Sequence, residues 1–390
     1  MIENLTIKNY KCFLSTSIKL NRITILAGTN AVGKSSLIQV LLLIRQTIDK
    51  FNLTTKYRDK TDYNNAINDF QNFCIRLNDV YNLNLGDSSQ ILSSDAISNE
   101  ITFIINDHNS SKKQIDYFVS RDNPELVLRL KNLKGFNKLD NDLSICKTQF
   151  HYLTAERLGP RVLQQMINQD FDNVGCQGEY TGYVLAKNGK LKVDEKRRIS
   201  DSKLKVPDLN KQVEFWLNYI IPGVEISTEL YQEINKVGFY LRRTYSDTKP
   251  LNPNNMGFGI SYVLPIIVSG LIAENGSLLI VENPEAHLHP SGQSKIGQFL
   301  SKVASSGVQV IVETHSEHVI NGIRIATLKN IISNELISIN FFSMGEKSIE
   351  PNIEHITLDN KADLSNWPYG FFDQEEIDLA EIFEGRKNEI

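Results

Sequence analysis

Hydrophobic positions in the first 27 residues fall in short alternating runs: Ile2, Leu5 and Ile7, then Phe13, Ile18 and Leu20, then Ile23 and Ile25. A period near two turns one side of a strand toward a core, so this stretch predicts two or three strands. Ile23 to Ala27 reads as a buried strand and Ser36 to Ile48 as the helix after it. From Lys50 to about Asp95 the chain is polar and rich in Asn and Asp, with apolar residues too sparse to define a core element. Glu100 to Ile105 and Gln114 to Ser120 then predict a strand pair, joined by turn residues Asn106 to Ser111, and a third strand is expected over Gln149 to Thr154. Leu209, Val213, Trp216, Leu217 and Ile220 recur at helical spacing, the stripe of an amphipathic helix lying on the body of the protein.

A second apolar half begins near Gly257. Ser277 to Glu282, Val308 to Glu313 and Leu336 to Phe342 are continuous apolar runs of the kind buried in a parallel sheet, separated by helical segments around Ser291 to Ser305 and His318 to Thr327. Strand and helix in alternation predict an α/β fold, a mostly parallel sheet with helices on both faces. The sequence contains no internal repeat and no long low-complexity tract.

Bulk properties narrow the classes. At 390 residues the chain suits one large domain with insertions, or two domains. The net charge of −4, from 42 basic and 46 acidic residues, gives no overall basic field for nucleic acid. Cys12, Cys74, Cys146 and Cys176 are widely spaced, without a C-x-x-C pair, as expected of reduced thiols in a cytoplasmic protein. Met1 to Phe13 lacks the pattern of a signal peptide, and the longest apolar run, Val40 to Ile44, is too short for a bilayer, so no membrane partner is expected.

Four segments carry chemistry. Gly28 to Ser35 is a complete G-x-x-x-x-G-K-S phosphate loop between the Ile23 strand and the helix behind it. Such a loop binds a nucleoside triphosphate: backbone N–H groups around Asn30, Ala31, Gly33 and Ser36 cradle phosphate oxygens, Lys34 reaches the β- and γ-phosphates, and Ser35 ligates magnesium. Leu278 to Glu282 is an apolar strand ending in a carboxylate, as a Walker B element needs to hold the magnesium shell opposite Ser35. Asn283 to Pro290 follows at once, and Val312 to Ser316 places His315 just past the next strand. Ahead of them lies the glycine-rich turn Asn255 to Tyr262; because proline suits a helix only near its first turn, Pro265 places the start of the next helix close to Ser261.

Taken in this order, these elements resemble the ABC-type ATPases of the SMC, RecF and OLD (overcoming lysogenization defect) kind. Lys8 to Phe13, the phosphate loop, Val281 to Pro290 and Glu313 to Ala326 look especially like predicted prokaryotic ATPases with a short tail motif, here Trp367 to Phe372. The resemblance implies ATP and Mg2+ as ligands, with two ATPs sandwiched between two subunits of a homodimer or higher homo-oligomer. It makes Gly257, Gly259 and Ser261 the signature turn that contacts ATP on the opposite subunit, His315 the switch histidine, and His287 to Pro290 the segment where subunits meet. It also implies an anti-phage setting, with an HNH-type nuclease effector as in Septu and related retron systems. The expected division is an N-terminal half of the ATPase core over 1–50, a β-rich insert over 51–160, a helical and basic insert over 161–254, the C-terminal half of the core over 255–345 and a tail over 346–390.

One position departs from the general pattern. Where many ABC ATPases carry a glutamate after the Walker B acid, this chain has Asn283, and an amide can orient a water but cannot take its proton. Glu285 is the nearest substitute, and it could equally serve as a structural cap. Glu282, Asn283, Glu285 and His315 form the candidate catalytic set, hydrolysis is expected to be slow, and a non-catalytic ATP-binding scaffold remains an alternative. Arg157 and Arg161 read as phosphate contacts or as ion pairs within the fold. The run from Lys187 to Lys205 reads as a solvated loop or a nucleic-acid contact, the latter in keeping with the other alternative, a RecF-like repair clamp. No nuclease constellation is visible, and His287 and His289 suit a subunit-facing loop better than a metal pair.

Overall fold

The apolar run from Ile23 to Gly28 becomes the third strand, β3, of a computed structural model that describes residues 1–56, 73–107, 112–136, 143–168, 172–199, 206–244, 257–345 and 348–387. β3 lies inside a six-stranded sheet whose other members are β8 (Phe150–Leu153), β12 (Leu278–Glu282), β13 (Gln309–Glu313), β14 (Ile337–Ser343) and β15 (Asn352–Ile356). The order is β15-β14-β3-β13-β12-β8, parallel except for β15 at one edge. Alternate residues feed two cores. Ile23, Ile25, Val310, Val312, Leu279 and Val281 join one hydrophobic cluster, whereas Leu26, Ile311, Leu278 and Ile280 join the other. Burial on both faces explains why these strands read as continuous apolar runs.

Helix α1 (Lys34–Lys56) belongs to the second cluster and is buried almost all round, from Leu37 to Ile44 and on to Phe51. Its outer neighbours are the inward faces of an antiparallel sheet, β2-β1-β5-β6-β7-β4, built from β1 (Ile2–Tyr10), β2 (Phe13–Lys19), β4 (Cys74–Arg76), β5 (Glu100–Asp107), β6 (Lys112–Phe118) and β7 (Val127–Lys134). The first cluster is completed by α2 (Thr181–Asn188), α3 (Leu209–Ile220), α4 (Phe258–Ile272), α5 (Pro290–Ser305) and α6 (Glu317–Leu328). A small sheet β10-β11-β9, of β9 (Leu163–Gln165), β10 (Val224–Tyr231) and β11 (Lys236–Arg243), lies beside α2 and α3. A final helix, α7 (Gln374–Lys387), follows the Trp367–Phe372 tail, in which Phe371 is buried edge-on against Phe341.

The three N-terminal strands, the β5–β6 pair, the α3 stripe and the three parallel strands of the second half stand where the hydrophobic pattern puts them. Residues 108–111 of the expected β5–β6 turn, and Asn255 and Met256 of the glycine-rich turn, lie outside the described residues. Several features go beyond or depart from that pattern. The expected strand at Gln149 to Thr154 forms over Phe150–Leu153 and pairs in parallel with β12. β15, unforeseen, extends the parallel sheet on its other side. α1 begins two residues early and runs past Ile48, because Phe51 carries its apolar face beyond the polar Asp49 and Lys50. α4 begins at Phe258, so Pro265 sits in its interior. The proline ring fills space beside Gly178, where a Cβ would fall 2.4 Å from Pro265 Cγ. Dense burial of α4 supplies the stability that the missing N–H removes, and the Ser261 carbonyl is left without its i+4 donor.

Candidate functional site

The phosphate loop is shaped by backbone conformations that its glycines permit. Gly28 has φ 135° and lies so close to β14 that a Cβ would fall 2.1 Å from the Phe342 carbonyl oxygen. Gly33 has φ 102°, and there a Cβ would fall 2.8 Å from Cys12 Sγ. Asn30, Ala31 and Ser35 stay exposed on the rim, while Lys34 is buried and its Nζ donates to the carbonyls of Gly28, at 3.0 Å, and Thr29. Burial lowers the Lys34 pKa and the Glu313 carboxylate opposes that shift. Leu37 N donates to Gly33 O at 3.0 Å, opening α1 directly behind the loop. Free N–H groups at a helix start and a lysine in one place form an anion site suited to phosphate.

Parallel register brings two carboxylates to the same level beside this loop: Glu282 pairs with Glu313, and Glu313 with Leu26. Ser35 Oγ donates to Glu313 Oε1 at 3.0 Å and Oε2 at 3.3 Å. Burial, helped by the nearby Glu282 charge and opposed by Ser35 and Lys34, pushes Glu313 up to about 7. Glu282 accepts instead from Tyr152 Oη at 2.9 Å and from Ala155 N at 3.3 Å, and burial raises its pKa as well. Glu313 was visible in the sequence as the last residue of an apolar strand, in the same place as Glu282 on its own strand, but it was given no role.

The remaining candidates form a frame around the pair. Glu285 accepts from Thr314 Oγ1 and from His315 N, both at 2.8 Å, so it fixes the turn that presents His315. Burial and the Lys34 charge hold His315 below the usual histidine pKa, keeping it neutral at pH 7. Asn283 adopts φ 43°, and its N donates to Glu313 O at 2.8 Å. Arg157, only 3% exposed, donates to the carbonyls of Thr154 at 3.0 Å, Glu282 at 2.7 Å and Asn283 at 2.6 Å. Its guanidinium lies over Tyr262 at 5.3 Å and is pushed by burial down to about 10. Arg157 is therefore a backbone clamp on the Glu282–Asn283 turn, and Arg161 is exposed.

Gly257, Gly259 and Ser261 lie at the start of α4. Gly257 is its N-cap with φ −60°, and a Cβ there would meet nothing within 4 Å. At Gly259 a Cβ would come within 2.7 Å of the His287 carbonyl. His287, at φ 60°, rests against Phe258 and Tyr262, with ring centroids 5.5 and 4.5 Å away. His289 caps α5 by accepting from Ser291 N at 3.3 Å. Gly257, Gly259, His287 and His289 border an open cavity of about 480 Å³, whereas Ser261 lines a separate pocket.

The basic run does not form a continuous face. Lys203 and Lys205 lie outside the described residues, and Arg197 is buried, bonding Ser306 Oγ at 2.6 Å and Asn275 Oδ1 at 2.7 Å. Lys187 pairs with Asp172 at 3.1 Å, which leaves Lys190, Lys192 and Lys196 exposed among Asp194 and Glu195.

Magnesium sites in nucleotide-binding proteins use one or two carboxylates and a hydroxyl, the rest being phosphate and water. Ser35, Glu282 and Glu313 meet that donor set, and the raised pKa values of the two carboxylates mark a place where a cation would relieve repulsion. No group of three His, Cys, Asp or Glu side chains poised for a metal occurs among the described residues. No helix among them is long and apolar enough to cross a membrane.

Comparison with known proteins agrees with this geometry. A family model described as an AAA ATPase domain matches residues 1–158 and 162–320. A second, described as a protein of unknown function (DUF3696), matches residues 332–382, which include the Trp367–Phe372 tail. Over 96% of its length the chain is 21% identical to the Old nuclease of Escherichia phage P2, of which it spans 66%. Over 34% of its length it is 24% identical to the energy-coupling factor transporter ATP-binding protein EcfA of Methanocaldococcus jannaschii, of which it spans 50%. The chain thus spans less than two thirds of either relative. Among solved structures, an Smc head bound to the C-terminal winged-helix domain of ScpA superposes with a TM-score of 0.51 at 13% identity, covering 92% of this chain and 98% of that one, a likeness of fold. With its phosphate loop, carboxylate-tipped parallel strands and matched family model, the chain belongs to the AAA ATPase domain family.

Proposed function

We propose that two copies of this chain close around ATP and Mg2+, hydrolyse the nucleotide slowly, and through that assembly control a separate nuclease effector in anti-phage defence. The observation that carries the reading is the start of α4. It has the make-up of a phosphate-binding helix end, yet Gly257 faces open space and Phe258 is 54% exposed. A second copy bringing its phosphate loop there would complete the site, with N–H groups and Ser261 Oγ aimed at the γ-phosphate.

Each residue then has a physical task. Lys34 leaves its loop carbonyls for the β- and γ-phosphates, which accept from it more strongly because they are charged. A bound magnesium would offset the charge of these phosphates. Ser35 and the neighbouring carboxylates Glu313 and Glu282 would hold it, directly or through water. His315, neutral and held by Glu285, donates toward the γ-phosphate and reports its presence. Asn283 orients the attacking water but cannot deprotonate it. Glu285 has both oxygens engaged by Thr314 and His315, so its task here is positional and turnover is slow. The nuclease named in the phage relative motivates the effector, and no catalytic metal cluster of a nuclease lies among the described residues.

The test is a mass measurement by light scattering with and without ATP, followed by a nuclease assay on the chain purified with its genomic neighbours. ATP-dependent doubling of mass and nuclease activity that responds to ATP are expected. A monomer at saturating ATP, or a nuclease indifferent to it, overturns the proposal.

A further inference from the structure

We propose that Glu313, on the strand beside the phosphate loop, is the direct carboxylate partner of Ser35 in the magnesium shell, and that Glu282 stands one step further out. This rests on the ATP-binding reading above and assigns a residue that the Walker B pattern passes over. Four observations carry it. β13 lies between β3 and β12, so a residue at its end is one strand nearer the loop than Glu282. Both Glu313 oxygens lie within 3.0 and 3.3 Å of Ser35 Oγ, the hydroxyl that such loops offer to magnesium. Glu282, in contrast, has one oxygen taken by Tyr152 Oη and the other by Ala155 N, both on the far side of β12 at β8 and the segment after it. Finally, Glu313 is 4% exposed, and among the described residues no basic side chain forms a salt bridge with it. Tyr152 is then a positioning residue that draws Glu282 away from Ser35.

A purely structural role, Glu313 as an acceptor that fixes Ser35, makes a different prediction. Glutamine keeps the acceptor and the volume while removing the charge. Manganese stands in for magnesium, and its affinity is read by electron paramagnetic resonance in the presence of a non-hydrolysable ATP analogue. Wild type, Glu313→Gln and Glu282→Gln are compared, with binding of a fluorescent ATP analogue in EDTA as the metal-free control. Glu313→Gln is expected to weaken manganese by about 10- to 100-fold, and Glu282→Gln by less, with metal-free nucleotide binding unchanged in both. Wild-type manganese affinity in Glu313→Gln, or an equal or greater loss in Glu282→Gln, overturns the assignment while leaving the ATP reading intact. Wild type that holds no analogue in either buffer overturns both. If Glu313→Gln does not fold, Glu313→Asp decides, since it keeps the charge one methylene further back: weakened manganese with intact metal-free binding supports the assignment, and unchanged affinity rejects it.

Discussion

The two faces that would meet around a nucleotide are built to opposite specifications. On the phosphate-loop face the polar groups are already engaged within the chain: Lys34 with loop carbonyls, Ser35 with Glu313, Glu282 with Tyr152, Glu285 with His315 N. On the face at the start of α4, Gly257 borders open space, and Phe258 and His287 are exposed. One face can hold a triphosphate by exchanging internal hydrogen bonds for phosphate contacts. The other becomes a site only when something is brought to it. A single chain should therefore bind nucleotide without completing a catalytic centre, and each prediction below separates the two faces.

The largest effect belongs to Lys34. Lys34→Ala removes the one buried cation of the loop and two charge-assisted hydrogen bonds, so ATP affinity should fall by about 3–5 kcal/mol, measured by calorimetry. ATP-dependent assembly should vanish with it. A variant that kept wild-type affinity would mean that the loop does not carry the phosphates.

Gly257→Asp strikes the other face. Because a Cβ there meets nothing and φ is −60°, the monomer should melt within about 0.5 kcal/mol of wild type. The new carboxylate would face a partner's γ-phosphate, a like-charge contact costing several kcal/mol, so ATP should still bind while doubling of mass and turnover are lost. Gly259→Ala is the contrasting control: its methyl meets the His287 carbonyl and should destabilise the monomer itself. Equal behaviour of the two variants would erase the distinction between the faces.

Arg157 joins the faces through the backbone between them. Arg157→Met leaves three carbonyls without their donor, so chemical denaturation should show a loss of about 2–4 kcal/mol, with a weaker nucleotide response because the Glu282–Asn283 turn is freed. If Arg157 were instead a phosphate ligand, affinity would drop with little change in stability.

How much of this was legible depends on whether a feature is local in sequence. The phosphate loop, the apolar strands and the α3 stripe follow from spacing alone. β10 and β11 were missed although Val237, Phe239 and Leu241 alternate on the buried side, because polar and charged residues dominate β10 and the far end of the hairpin. The position of Pro265 was misread because the rule against interior prolines counts one hydrogen bond, whereas α4 is held by side chains packed on nearly every face. Glu313 and Tyr152 could not be assigned, since their meaning arises from strand order: β13 beside β3, and β8 beside β12. Arg157 was left between two roles that only its three carbonyl partners separate.

The smallest effect concerns the resting state of the phosphate-loop face. Glu313 is pushed from an ordinary 4.5 to about 7, so the folded chain binds more protons there than the unfolded chain between these values. Stability from this group is fully present below 4.5 and is lost as pH rises through 7. Without metal, wild type should lose about 1–3 kcal/mol between pH 5 and pH 8 relative to Glu313→Gln, which stays neutral throughout. The measurement is denaturant unfolding at several pH values in EDTA. Glu282 shifts in the same direction in both proteins, so it cancels in the comparison except where the two charges interact. Adding magnesium with a non-hydrolysable ATP analogue should shrink the difference, because a bound cation favours the ionised carboxylate. Identical pH profiles for the two proteins would mean that Glu313 titrates as an ordinary exposed acid, and the claim that the phosphate-loop face stores an uncompensated carboxylate would fall.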